Sequence, residues 1–299
     1  MTERNILLVS IVVTTLFACL GVVWGILTDS SMIIFDGIYS FISVGLSFLS
    51  LAVLKQIQDK NAAEDARYPF GKAHFEPLLI VFKSLTLIGM CTFSATNSFS
   101  ELLAGGRSVS PGPAVIYALI STISCLVVVL FIRRKNKRMA SNLLAAEQHQ
   151  WLGDLLLSFG VLVGFSIAYI LQDSHYSWVV PYADPGMVVV ASAIFIFLPL
   201  KSFIGAAREM FFYRVDEKIV KPIEKEAERI ANQYDAKYKF RMVSIGRELN
   251  IEVNFLIEDN RLLSIVEMDD IRRRIAVEVS KMKKQHWINI NFTHEPLWL

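Results

Sequence analysis

Long apolar segments separated by short polar connections dominate the first 206 residues of the chain. Six of these segments are long enough to cross the roughly 30 Å of hydrocarbon in a bilayer. They are residues 6–27, 31–54, 77–101, 112–132, 148–171 and 184–206. Beyond them, charged residues become frequent and the apolar runs become short. The pattern predicts a transmembrane domain of six helices over residues 1–206 and a separate domain over residues 207–299.

The C-terminal segment has the periodicity of a small α+β domain. Ile219, Ile223 and Ile230 recur at helical spacing, and Ser264 with Glu267 has the spacing of a capping box that begins a second helix. Alternating apolar and polar residues between and after the helices indicate half-buried strands. The predicted elements are a helix at 217–233, strands at 239–243 and 249–257, a helix at 264–284 and a strand at 287–293. This α-β-β-α-β order predicts a ferredoxin-like domain with both helices on one face of the sheet.

The basic residues of the connections are distributed unevenly between alternate loops. The connections 28–30, 102–111 and 172–183 together contain only Arg107. The other two connections are rich in basic residues: Lys55, Lys60, Arg67 and Lys72 in one, and Arg133, Arg134, Lys135, Lys137 and Arg138 in the other. Because basic loops stay on the cytoplasmic side, the sequence predicts cytoplasmic termini and a cytoplasmic C-terminal domain. The short loops favour a bacterial plasma membrane.

The composition is typical of an integral membrane protein and excludes several other classes. The hydrophobic fraction is 54% and the net charge is +2, which gives no basis for nucleic-acid binding. The sequence contains neither a phosphate-binding P-loop nor a nucleophile–base pair on facing spans. We therefore expect no enzyme activity and no prosthetic group. The cysteines, Cys19, Cys91 and Cys125, all fall within apolar segments, where we expect them to be buried.

Two of the apolar segments carry a carboxylate at membrane depth. Asp36 and Ser40 lie four residues apart in the second segment, as do Gln150 and Asp154 in the fifth. Residues four apart share one face of a helix, and a carboxylate within the bilayer usually faces a protein interior or a water-filled path. The sequence therefore predicts a cation site between these two helices. The structural alternatives are polar contacts between helices for the carboxylates and Gln150, and close helix packing for Ser40.

Two further carboxylates lie nearer the ends of the apolar segments. Glu147 lies directly before the fifth segment, near its cytoplasmic end, and we expect it to be a solvated residue at the helix end. Asp184 immediately precedes Pro185 at the start of the sixth segment, where we expect it to cap its own helix. A position for Asp184 at the outer mouth of a cation path is the alternative.

Several short motifs, taken in order, resemble those of one known family. They are Asp36-x-x-x-Ser40, Tyr68-Pro-Phe-Gly71, Glu76-Pro77, Gln150-x-x-x-Asp154 and Ala183-Asp184-Pro185. Together with the six spans and the α-β-β-α-β tail, they resemble the cation diffusion facilitators, which are proton-coupled exporters of divalent metals. The resemblance covers nearly the whole chain. It implies a homodimer and a metal site made of Asp36, Ser40, Gln150 and Asp154.

The implied ligands depart from the usual pattern of that family, which draws four ligands from Asp and His. Gln150 stands where many zinc exporters have His, and the loop motif carries Tyr68 and Lys72 in place of a His pair. Oxygen ligands alone favour harder cations such as Mn²⁺, Fe²⁺ or Mg²⁺ over Zn²⁺, with Co²⁺ as a further candidate. Because protons compete with the metal for carboxylate oxygens, the resemblance implies metal export in exchange for protons.

The neutral ligands Ser40 and Gln150 leave a second function open. A protein that kept this fold while its site weakened would be a metal sensor or a scaffold dimer without transport. The presence of both Asp36 and Asp154 favours transport. The expected partners are therefore divalent metal ions, protons, membrane lipid and a second copy of the chain.

Overall fold

Six apolar helical spans are present in the computed structural model, which describes residues 3–58, 68, 71–139, 142–246, 248–257, 262–282 and 285–299. The first five spans are α1 (Glu3–Thr28), α2 (Ser31–Gln58), α3 (Phe75–Leu103), α4 (Pro111–Met139) and α5 (Asn142–Leu171). The sixth span begins with a short 3-10 helix, Ser177–Val179, and continues as α6 (Val180–Phe195) and α7 (Phe197–Met210). The prediction of six membrane-spanning helices is confirmed.

The chain forms two compact units. One contains Met1–Ser50 and Lys83–Leu200, and the other contains Leu51–Phe82 and Lys201–Leu299. The basic run from Arg133 to Arg138 lies within α4, which continues to Met139, so these residues extend a helix instead of forming a loop. Lys60 and Arg67 of the other basic connection lie outside the described residues.

The sixth span is broken at Ile196, between α6 and α7. Pro199 has no backbone N–H, so it cannot donate the helical hydrogen bond to the carbonyl of Phe195. The backbone continues through the break, since the Ile196 N–H donates to the Ser192 carbonyl at 2.9 Å and the Leu200 N–H donates to the Ile196 carbonyl at 3.0 Å. The apolar length of this segment predicts one span, and the proline divides it into two helices.

Helices α1 and α2 pack closely because glycines lie on both surfaces of the contact. A Cβ atom on Gly25 would lie 2.6 Å from Ile34 Cγ1 and 2.7 Å from the Ile34 backbone nitrogen. A Cβ atom on Gly37 would lie 2.6 Å from the backbone nitrogen of Val22. Small residues four apart, as at Gly21 and Gly25, commonly allow helix backbones to approach in membranes. This contact fixes the position of Asp36, the residue before Gly37, relative to α1.

Two buried clusters of apolar residues pack the membrane helices against one another. One contains Met32, Cys91 and Phe165, and the other contains Cys125 and Trp151. The predicted burial of Cys91 and Cys125 is correct. Cys19 is exposed on α1, so its predicted burial is wrong. The reason is that a membrane-spanning helix can turn an apolar surface towards lipid, so an apolar context alone does not imply burial by protein.

The C-terminal segment has the predicted α-β-β-α-β order. Its elements are α8 (Glu217–Tyr234), β1 (Ala236–Ile245), β2 (Glu248–Ile257), α9 (Ile265–Ser280), β3 (Gln285–Thr293) and a short 3-10 helix, Pro296–Trp298. The strand order is β1-β2-β3, with β1 antiparallel to β2 and β2 parallel to β3. Apolar residues of both helices, such as Ile223 and Ile275, pack against Val253 and Phe255 on one face of the sheet.

The boundaries of the C-terminal elements differ slightly from the prediction. The capping box is confirmed, since the Ser264 N–H donates to Glu267 Oε2 at 2.8 Å and the Glu267 N–H donates to Ser264 Oγ at 3.3 Å. Helix α9 ends at Ser280, and β1 begins at Ala236, which pairs with Ile257. The predicted helix end at Lys283 and Lys284 and the turn residue Arg247 lie outside the described residues.

Replacing Gly25 by Ala is expected to destabilise the membrane domain by about 1–3 kcal/mol, the usual cost of overpacking a tight contact. The added methyl group would meet the backbone of Ile34, which cannot rotate away as a flexible side chain could. The matched control is Gly45→Ala on α2, where an added Cβ atom has no neighbour within 4 Å. Thermal unfolding in detergent should show a lower midpoint for the first variant only. Equal midpoints for the two variants would contradict the packing described for α1 and α2.

Candidate metal site

Asp36 lies on α2 and receives a hydrogen bond from α4. The Tyr117 hydroxyl donates to Asp36 Oδ2 across 3.3 Å. Tyr117 is buried, whereas Asp36 is half-buried. The glycine contact with α1 places Asp36 beside this hydroxyl, because the Tyr117 oxygen lies against Gly21 and Gly37 lies against the same glycine. One acceptor position of the carboxylate is therefore occupied by a neutral donor.

A small cavity adjoins Asp36. It has room for roughly one water molecule. Its walls combine apolar side chains with four polar groups; the lining residues are Met32, Ile33, Asp36, Tyr117, Ala118, Ser121, Ser158 and Val161. The Ser121 and Ser158 hydroxyl groups are hydrogen-bonded to each other at 2.9 Å, and the Cys125 sulfur lies 3.9 Å from Ser158 Oγ. The cavity therefore offers oxygen atoms from α2, α4 and α5 within an apolar surround.

The second carboxylate, Asp154, lies on α5 and is half-buried. It is close enough to Asp36 for the two carboxylates to interact electrostatically. Ser40 is half-buried on α2 and Gln150 is exposed on α5, and neither residue lines the cavity beside Asp36. The structure thus places the two predicted carboxylates within electrostatic range of each other, whereas Asp154, Ser40 and Gln150 all lie outside the lining of the cavity beside Asp36.

Glu147 is held by α1, which differs from the expected solvated helix end. Its Oε1 accepts a hydrogen bond from the Ser10 hydroxyl, and Ser10 is itself buried. The indole N–H of Trp151 donates to the same Ser10 oxygen at 2.6 Å. The physical reason is that this part of α5, less than two helical turns before Asp154, packs against α1. Protein therefore covers the helix end that was expected to face water. This network links the two helices through a hydroxyl group that is both donor and acceptor.

Asp184 caps α2 instead of its own helix. It lies inside α6, is almost fully buried, and accepts hydrogen bonds from the Ser30 hydroxyl at 2.5 Å, the Ser31 N–H at 2.8 Å and the Met32 N–H at 3.2 Å. These N–H groups belong to the first turn of α2, which has no partners within its own helix. A negative charge is also favourable at that end of the helix dipole. Asp184 therefore has a structural role at the start of α2.

Arg107 links the start of α2, which Asp184 caps, to the end of α3 and the start of α6. Its Nη1 atom donates to Glu101 Oε1 on α3 and to Ser31 Oγ on α2, both at 2.8 Å. Its backbone N–H donates to the carbonyl of Pro181 at 2.8 Å. The preceding Gly106 has a φ of +88°, and a Cβ atom there would lie 2.6 Å from the same carbonyl. The connection between α3 and α4 is therefore fixed against the start of α6.

The described part of the loop motif forms a compact turn before α3. The Gly71 N–H donates to the Tyr68 carbonyl at 2.9 Å, and the Tyr68 ring lies 5.6 Å from the Phe75 ring. The Lys72 ammonium lies 4.9 Å from the centre of the Tyr68 ring. Pro69 and Phe70 lie outside the described residues. Tyr68 and Lys72, which replace the His pair of the family motif, thus contact each other.

The groups around Asp36 suit a hard cation better than a soft one. No cluster of three or more His, Cys, Asp and Glu side chains able to hold a metal occurs among the described residues. The oxygen groups near Asp36 are the Asp154 carboxylate and the hydroxyl groups that line the cavity, which are ligands that Mg²⁺ and Mn²⁺ accept. Sequence reasoning missed Tyr117 and Ser121, although Tyr117, Ser121 and Cys125 recur every four residues on one face of α4. That spacing is the signal that could have identified them.

Comparison with known proteins relates the chain to cation efflux. The model of the cation efflux transmembrane domain matches residues 7–211. The manganese efflux system protein MneP of Bacillus subtilis is 22% identical over 282 residues, which are 93% of this chain and 91% of MneP. The magnetosome protein MamB of Magnetospira sp. is 22% identical over 267 residues, or 88% of this chain and 87% of MamB. The cation-efflux pump FieF of Escherichia coli is 22% identical over 151 residues, or 50% of this chain and 47% of FieF.

Replacing Asp184 by Asn is expected to destabilise the protein by about 1–3 kcal/mol, the cost of weakening buried hydrogen bonds to a charged acceptor. An amide offers only one acceptor atom, whereas both carboxylate oxygens are now used. Asp173→Asn, at an exposed position between α5 and α6, is the matched control. Thermal unfolding in detergent measures both variants. An unchanged midpoint in the Asp184 variant would show that these hydrogen bonds do not stabilise α2.

Proposed function

We propose, since the chain belongs to the cation diffusion facilitator family, that it exports a divalent metal cation from the cytoplasm in exchange for protons. The match of the cation efflux domain to residues 7–211 supports transport as the activity. The observation that carries the proposal is that Asp36 on α2 and Asp154 on α5 lie within electrostatic range of each other, each inside a membrane-spanning helix. Two such charges repel each other unless a cation or protons are bound between them.

The proposed site uses Asp36 and Asp154 to neutralise the charge of the cation. Ser40 and Gln150 supply neutral oxygens as the helices close around the ion, and water completes the coordination. Protons and metal compete for the same carboxylate oxygens, so binding of one species releases the other. Alternate opening of the site to the two sides of the membrane then couples outward movement of metal to inward movement of protons.

Manganese is the cation that the ligand chemistry favours most. An all-oxygen site without imidazole or thiolate selects hard or borderline cations. Mn²⁺ and Fe²⁺ fit this description better than Zn²⁺, which more often takes His or Cys ligands in proteins. The name of MneP, which aligns over 93% of this chain, points to the same ion. Fe²⁺ and Co²⁺ follow as secondary substrates.

The proposed orientation places both termini in the cytoplasm. The basic residues at the end of α4, Arg133 to Lys137, anchor that end on the cytoplasmic side, and Arg107 is at the opposite side. With the division at residue 206, residues 207–299 then form a cytoplasmic domain, which we assign to dimerisation and regulation. The membrane is a bacterial plasma membrane in this proposal, and the two relatives that align over most of the chain are bacterial proteins.

Removing both carboxylates is expected to abolish transport. In the Asp36→Ala/Asp154→Ala variant, the remaining neutral ligands cannot balance a divalent charge at membrane depth. Proteoliposomes that contain a pH indicator and are exposed to Mn²⁺ should show metal-dependent proton flux with wild-type protein and none with the double variant. Asp173→Ala removes an exposed carboxylate between α5 and α6 and should keep wild-type flux. The same assay with Fe²⁺, Co²⁺, Zn²⁺ and Mg²⁺ measures selectivity.

Two results would contradict the proposal in different ways. Wild-type flux in the double variant would show that transport does not use these carboxylates. Absence of flux with every cation, in wild-type protein that is folded and dimeric, would favour a metal sensor or scaffold that retains the transporter fold.

Replacing Gln150 by His is expected to shift selectivity towards zinc. The imidazole would add a borderline ligand to an all-oxygen set, and Zn²⁺ gains more from such a ligand than Mn²⁺ does. The ratio of Zn²⁺ to Mn²⁺ transport should rise severalfold. Leu152→His, two residues further along α5 and therefore on another side of the helix, is the matched control. The same change in both variants would argue against Gln150 as a ligand.

A further inference from the structure

Tyr117 has a more restricted position than a residue that merely fills space between helices. Its side chain is 5% exposed, and its hydroxyl reaches from α4 to the Asp36 carboxylate on α2. Space for the hydroxyl exists only because position 21 is glycine, since a Cβ atom there would lie 2.8 Å from the Tyr117 oxygen. The phenol ring is thus enclosed, and its polar end has a defined partner.

The neighbours of Tyr117 hold its ring in place. The Trp24 ring lies 6.3 Å from it, with an angle of 35° between the two planes. The Trp24 indole N–H donates to the carbonyl of Pro113 at 3.1 Å, one turn before Tyr117 on the same helix. Trp24 therefore links α1 to α4 beside the tyrosine.

We propose that Tyr117 is a positioning residue that limits Asp36 to binding the transported cation through one oxygen, Oδ1. This inference rests on the proposed function, because it assumes that Asp36 is a ligand. A carboxylate can accept about four hydrogen bonds or coordinate a cation through both oxygens. The torsion that rotates the carboxylate is soft, so Asp36 alone has no fixed orientation. The Tyr117 hydroxyl selects one orientation by binding Oδ2.

One-oxygen ligation has consequences for which cation is accepted. Ions that demand octahedral geometry, such as Mg²⁺, commonly take carboxylates through one oxygen, whereas the larger Ca²⁺ takes six to eight oxygen ligands and readily accepts both oxygens of one carboxylate. With Oδ2 engaged by Tyr117, the site disfavours the two-oxygen mode. Tyr117 thus discriminates against large cations without contacting the ion. Hydrogen-bonding partners of metal ligands elsewhere have effects of about 10–100-fold on metal affinity or activity when they are removed.

A purely structural role for the same hydrogen bond predicts a different result. If Tyr117 only ties α4 to α2, its loss weakens binding of every cation in the same proportion. If it restricts Asp36, its loss weakens Mn²⁺ binding but improves Ca²⁺ binding relative to Mn²⁺. The ratio of the two affinities separates the two roles.

The experiment uses full-length Tyr117→Phe protein, which keeps the ring and removes only the hydroxyl. Titration calorimetry should show an Mn²⁺ Kd raised by about 10–100-fold, and Ca²⁺ should compete with Mn²⁺ more strongly than in the wild type. In proteoliposomes, the KM for Mn²⁺ should rise in parallel with little change in kcat. Tyr169→Phe on α5, where the side chain is largely exposed, is the matched control and should resemble the wild type. If Tyr117→Phe does not fold, Trp24→Phe, which removes the anchor of the ring, should change the Ca²⁺ to Mn²⁺ ratio in the same direction.

The outcomes distinguish this inference from the proposed function. Wild-type values for folded Tyr117→Phe, or equal losses for Mn²⁺ and Ca²⁺, would overturn the inference. An unchanged ratio in Trp24→Phe would overturn it where Tyr117→Phe does not fold. An Asp36→Ala variant that loses transport at the same time would leave the proposed function intact. Wild-type transport in Asp36→Ala would instead contradict the proposed function itself.

Discussion

A carboxylate can remain within the hydrocarbon depth of a membrane only where protein groups replace the water that it has lost. The described carboxylates meet this requirement to different degrees. Asp184 accepts three hydrogen bonds, two of them from backbone N–H groups, which leaves it little capacity for another ligand. Asp36 accepts one, from Tyr117, and adjoins a small cavity that two serine hydroxyl groups also line. The remaining acceptor capacity of Asp36 is what makes it suitable for a cation, whereas Asp184 is suited to holding a helix end.

The glycines of α1 connect this electrostatic requirement to packing. Gly21 and Gly25 let α2 approach α1 closely, and the gap at Gly21 admits the Tyr117 hydroxyl from α4. Uncharged residues therefore determine the position of the group that is hydrogen-bonded to Asp36. A single methyl group at Gly21 would change both the helix contact and the position of the hydroxyl.

Local patterns in the sequence predicted the elements of the fold well, because each depends on neighbouring residues. The six spans follow from apolar length, and the capping box at Ser264 follows from two residues three apart. Contacts between distant segments were not accessible in this way. Asp184 precedes a proline and therefore resembles a cap of its own helix, but it binds N–H groups about 150 residues earlier in the chain. Tyr117 is separated from Asp36 by 81 residues, and in the sequence it looks like any other aromatic residue within an apolar segment.

The position of Asp184 also determines which parts of the membrane domain can move together. Its hydrogen bonds end on Ser31 and Met32, and Asp36 follows within about one and a half helical turns. A helix is stiff over that length, so the hydrogen bonds of Asp184 hold the start of α6 in a fixed relation to the turn of α2 that carries Asp36. A displacement of the start of α6 would therefore reach Asp36 through three hydrogen bonds and the first turns of α2.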